Sequence, residues 1–173
     1  MNVSKFLAIL MLIFCSGCYC DYNYSNEADK IAGNFLKEIK KELNIYPASI
    51  GGGTRGEVNQ VSLHLDCYQR VDLERAREIF LQISEGLFAR YNNHKEIRPY
   101  LHHFPFGLES FNMILAFMDT PSKRVPSDKI ALIKIFDENR LHYYCFDHVK
   151  NELQLVHKED YADAKKLVEQ KRK

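Results

Sequence analysis

Three features of the chain predict an α+β fold: a single antiparallel sheet of about four to five strands with three helices, in the order α-β-α-β-β-β-β-α. Two long stretches repeat apolar residues every three or four positions, as helices with one buried face do. Between residues 111 and 157, short apolar or alternating runs follow one another at hairpin-length spacing. A last amphipathic stretch closes the chain after Asp160. Clustered strands of this kind pair antiparallel, with the helices packed on one face of the sheet.

The first helix is expected to start near Ser25 or Asn26, both good caps, and to end before Pro47. Its stripe is Ala28, Ile31, Phe35, Ile39 and Leu43, widened by Ala32 and Leu36, while lysines and glutamates occupy the other side. Residues 47–57, with Gly51, Gly52, Gly53 and Gly56, read as a loop. Val61, Leu63, Leu65 and Cys67 then alternate with Ser62, His64, Asp66 and Tyr68, the period of a half-exposed strand. Asp72 caps a second helix whose inward face is Leu73, Ala76, Ile79, Phe80, Ile83, Leu87 and Tyr91. Residues 111–118 are nearly all apolar, which suggests a central strand covered on both sides. Strands follow at Ile130 to Asp137, Leu141 to Asp147 and Leu153 to His157, before a terminal helix carrying Tyr161, Ala164, Leu167 and Val168.

The start of the chain has a different character. Met1 and Lys5 supply positive charge, and Phe6 to Phe14 is an uninterrupted apolar run. As a helix it covers about 14 Å, under half of a ~30 Å hydrocarbon core, which is the length of a secretory signal's apolar region and not of a membrane span. Residues 1–17 are therefore expected to be a signal peptide, 18–25 a tether and 26–173 one domain. The stretch Phe14-Cys15-Ser16-Gly17-Cys18 resembles the lipobox of bacterial lipoproteins, with Cys15 where leucine is usual. The resemblance implies acyl-chain attachment at Cys18, cleavage before it and a cell-envelope membrane anchor. The alternative is ordinary cleavage after Gly17 or Cys20, giving a soluble periplasmic or secreted factor.

Composition narrows the function classes. A mature chain of roughly 150 residues buries about two thirds of its unfolded surface and holds a core without metals or staples. A net charge of +1 gives no field for attracting nucleic acid. No cofactor is called for.

The candidate sites are few. Gly51, Gly52, Gly53 and Arg55 could present amides and a guanidinium to an anion, although the Lys-Ser/Thr ending of a P-loop is absent. His102, His103 and Glu109 have the residue types of a zinc site but no ligand spacing, and they would carry a small hydrolase or metal-dependent enzyme. Ser62, His64 and Asp66 share one strand face, about 7 Å apart at each step, too far for a direct relay. Cys67 and Cys145 either pair as a disulfide or remain buried thiols. Tyr68, Tyr143, Tyr144 and Phe146 are candidates for a recognition face. The reading that unites these features is a lipid-anchored, non-enzymatic binding or structural domain with an envelope protein partner.

Overall fold

The computed structural model describes residues 23–54, 56–136 and 139–171. The expected signal peptide, Cys18 and Arg55 lie outside the described residues. Helix α1 (Asn23–Leu43) begins inside the stretch expected to be tether. Ala28, Ile31, Ala32, Phe35, Leu36, Ile39 and Leu43 are all buried, as their spacing predicts. Helix α2 (Leu73–Asn93) opens on Asp72, whose carboxylate accepts the Arg75 amide at 2.9 Å. Ala76, Ile79, Phe80, Ile83, Leu87 and Tyr91 are buried, with Phe88 and Ser84 beside them, while Leu73 is half-buried. Gly86 has a use in this packing: a β-carbon there would stand 2.8 Å from the Phe35 ring, so its absence lets α1 close on α2.

The strands are β1 (Ile45–Thr54), β2 (Val58–Cys67), β3 (Phe111–Thr120), β4 (Lys123–Arg124), β5 (Ile130–Phe136), β6 (Arg140–Asp147) and β7 (Glu152–Asp160). They form a seven-stranded sheet in the order β1-β2-β3-β5-β6-β7, with β4 paired to β3. This corrects the expected topology twice. The sheet has more strands than the expected four or five, and it is mixed, because β2 and β3 run parallel from Val61↔Phe111 to Cys67↔Phe117. A parallel pair needs a crossover of a dozen residues or more, which α2 and the loop after it provide.

The extra long strand is the glycine segment. Residues 47–54, read as loop from sequence, belong to β1, with Gly51 opposite Ser62 and Gly52 opposite Val61. Pro47 is tolerated because β1 is an edge strand, and register shifts at Pro47/Ser49 and Gly53/Thr54 absorb the irregularity.

Helix α3 (Tyr161–Lys171) buries Tyr161, Ala164 and Val168, whereas Leu167 of the same helix is exposed. The Tyr161 hydroxyl meets Ser84 Oγ at 2.7 Å and donates to Glu85 at 2.8 Å, which fixes α3 against α2. A buried ion pair joins α2 to the far strand: Arg77 Nε donates to Glu159 Oε1 at 2.8 Å, and Tyr143 Oη donates to the same oxygen.

At the far end of the sheet, Arg70 grips Asp119 with two hydrogen bonds of 2.6 and 2.9 Å, and Lys123 Nζ lies 3.1 Å away. These bonds hold the Asp119 carboxyl at a pKa of about 2. A depressed folded-state pKa stabilises the fold above the unfolded value of about 4. That contribution disappears as pH falls through about 2. Asp119→Asn is therefore expected to lower the urea midpoint at pH 7, and the gap to wild type should close on acidification below pH ~4.

Candidate functional site

The helices cover one face of the sheet and leave the other bare. Along β3, Phe111, Met113, Leu115 and Phe117 are buried, while Asn112, Ile114, Ala116 and Met118 are only half-buried. The expectation that this strand is covered on both sides is thus corrected: its second apolar face belongs to the open side of a two-layer fold.

Strand register assembles that side. Ala116, Leu132, Tyr144 and Leu155 stand side by side across β3, β5, β6 and β7, and Asp66 of β2 continues the row. The next row is mostly polar, with His64, Lys134, His142 and Lys158 around Ile114. Phe146 pairs with Leu153 on the other flank. Leu153, Leu155 and the neighbouring Val156 are exposed.

Cationic side chains lie across the aromatic rings of this face. The Arg124 guanidinium sits 5.5 Å from the Phe146 ring centroid and donates to Met118 Sδ at 3.6 Å. The Lys134 ammonium is 5.5 Å from the Tyr144 ring. Long cationic side chains in such positions shield apolar atoms with their methylenes and keep their charge at the surface. The result is a shallow apolar strip under a partial basic cover.

Of the four aromatics expected to form a recognition face, the structure places Tyr144 and Phe146 here. Tyr143 is a correction: it points into the core, its ring fully buried. Tyr68 packs at the end of β2 against Tyr46, with ring centroids 5.2 Å apart. His64, Asp66 and Ser62 lie on the open side as separate steps of one strand and make no hydrogen bonds with one another.

In the histidine segment, His102 and His103 each face a carboxylate. His102 Nδ1 meets Glu57 at 2.5 Å and His103 Nδ1 meets Glu109 at 3.5 Å, so each imidazole has its own carboxylate. The two rings touch edge to face, their centroids 4.4 Å apart. Among the described residues, no three His, Cys, Asp or Glu side chains could together hold a metal ion.

Cys67 and Cys145 are free thiols. They stand on β2 and β6, which are separated by β3 and β5, so three strand spacings of ~4.8 Å set them about 14 Å apart, twice the reach of a disulfide. Burial pushes the Cys67 thiol up to about 12.

Sequence reasoning missed His94, which lies between two carboxylates: Nε2 is 3.5 Å from Glu27 and Nδ1 is 3.3 Å from Glu96. Two adjoining hollows meet at Glu27 and His94. One, of about 470 Å³, lies between α1 and α2 and includes Ile31 and Arg90. The other, of about 640 Å³, is bounded by Tyr24, Ile97 and Tyr100. An imidazole flanked by acids has the makings of a general base, but among the described residues no Ser, Thr or Cys side chain hydrogen-bonds to His94.

No described helix is long and apolar enough to cross a membrane. No family model, curated protein or solved structure matches the chain.

Proposed function

We propose that the chain is an exported lipoprotein, acylated at Cys18, whose α+β domain is a non-enzymatic binding module for an envelope protein. The anchor is supported by the short apolar run followed by Phe14-Cys15-Ser16-Gly17-Cys18. Two or three acyl chains at one cysteine hold a protein stably at a bilayer, since each buried methylene contributes about 0.8 kcal/mol. The observation that carries the binding role is the bare sheet face, with its row of Ala116, Leu132, Tyr144 and Leu155 beside Phe146 and Leu153. Apolar strips of this kind, rimmed by polar side chains, suit burial against another protein.

A photo-crosslinking residue at Tyr144, in cells, is expected to capture one discrete envelope protein, and Leu155→Glu is expected to abolish that product without unfolding the domain. The same residue at Lys166, on the exposed side of α3, should capture nothing comparable. Equal products from both positions, or products indifferent to Leu155→Glu, would rule out the sheet face as the binding surface.

A further inference from the structure

The end of the domain nearest Cys18 has its own surface chemistry. Only residues 19–22, which include Tyr19 and Tyr22, separate Cys18 from the first residue of α1. Five peptide steps span at most about 18 Å, so an acylated Cys18 confines the start of α1 to the edge of the bilayer. Tyr24, one residue into α1, stacks on Tyr100 with ring centroids 5.1 Å apart. Its hydroxyl also accepts the Gly56 amide at 3.0 Å, tying the β1–β2 turn to the same place. The segment that follows Tyr100 is therefore held beside the start of α1.

That segment presents Phe104, 58% exposed and the most exposed aromatic residue among the large apolar side chains of the described chain. The Arg98 guanidinium lies 5.3 Å from its ring. His102 and His103 stand next to it, both about half exposed. Aromatic rings at the level of lipid headgroups, with an arginine alongside to meet phosphate, are what a bilayer interface favours. The carboxylates of Glu27, Glu57, Glu96 and Glu109 also lie at this end, beside His94, His102 and His103, and outnumber the cations Lys95 and Arg98 of the same loop. That balance opposes an anionic lipid surface and fits zwitterionic headgroups.

We propose that this end of the domain, led by Phe104 and flanked by Tyr24, Tyr100 and Arg98, seats on the lipid headgroups beside the Cys18 anchor. The inference rests on the acylation proposed above. It adds a fixed orientation: the strands stand away from the bilayer, because β2 and β3 both begin at this end. The bare face is then turned sideways, accessible to a protein in the same envelope layer. The β6–β7 turn lies at the opposite end, with Val149 at 96% exposure.

The chain has no tryptophan, so a single substitution supplies a reporter of depth. Full-length acylated protein carrying Phe104→Trp or Val149→Trp would be placed on phosphatidylcholine vesicles with brominated acyl chains, which quench nearby indoles. The Phe104→Trp protein is expected to lose most of its emission and the Val149→Trp protein almost none. If intact mass confirms acylated Cys18 but the two proteins are quenched equally, or neither is, the seating is overturned while the anchor stands. An unacylated Cys18 in the same samples would overturn both.

Discussion

Removing the carboxylate of Glu159 is expected to be among the most damaging single changes to the fold. Glu159→Ala leaves the Arg77 guanidinium, whose side chain is only 9% exposed, without its partner, and it also strands the Tyr143 hydroxyl inside the sheet–helix interface. Unpairing a buried charge costs about 3–5 kcal/mol, a large part of the 5–15 kcal/mol that holds a domain together. At about 2–4 °C per kcal/mol for a domain of this size, the melting temperature should fall by roughly 6–20 °C. The double variant Arg77→Met with Glu159→Leu should recover much of that loss, since it buries no charge. Thermal unfolding followed by circular dichroism decides the matter, and a Glu159→Ala protein within a degree of wild type would mean the pair is solvated.

Gly52→Ala is the second large effect, and it separates two descriptions of the glycine segment. In β1 the added β-carbon would fall 2.2 Å from the backbone oxygen of Gln60, a contact that only a shift of the β1–β2 ladder can relieve. The expected cost is about 1–3 kcal/mol, the range for forcing atoms into a packed site. Gly51→Ala meets nothing within 4 Å, and at Gly53 the nearest atom is Asn59 Cβ at 3.9 Å, so those two should be neutral or slightly stabilising. Urea midpoints of the three variants test this. Three equal, small effects would describe a flexible loop instead of an edge strand.

That segment also shows where sequence reading stops. The periodic signals were reliable where side chains carry the packing: the α1 stripe from Ala28 to Leu43, the α2 face from Ala76 to Tyr91, and the alternation from Val61 to Cys67 all match the buried set. β1 escaped because its glycines have no side chain to alternate and Pro47 reads as a breaker, while the strand is held by backbone pairing with β2. The parallel β2–β3 pair was in principle legible, since α2 between two strands is the crossover such pairing needs.

The candidate site was half legible. Tyr144 and Phe146, two apart on β6, can share a face, but Tyr143 cannot join them, because adjacent residues of a strand point to opposite sides. Leu153, Leu155, Ala116 and Leu132 joined the face only through strand order. Strand order likewise parts Cys67 from Cys145. Contacts across long stretches of chain, such as His94 with Glu27 or His102 with Glu57, leave no local spacing to read.

The central claim, a domain anchored to the envelope through Cys18 and oriented by that anchor, is tested most directly by the intact mass of the mature protein from its own cells beside Cys18→Ala. The account predicts a mature chain that starts at Cys18, carries the added mass of acyl chains and fractionates with membrane. The Cys18→Ala protein should lack the acyl mass and leave the membrane fraction. A wild-type N-terminus at Cys18 or Asp21 with no acyl mass would contradict the anchor and make the domain a soluble exported factor.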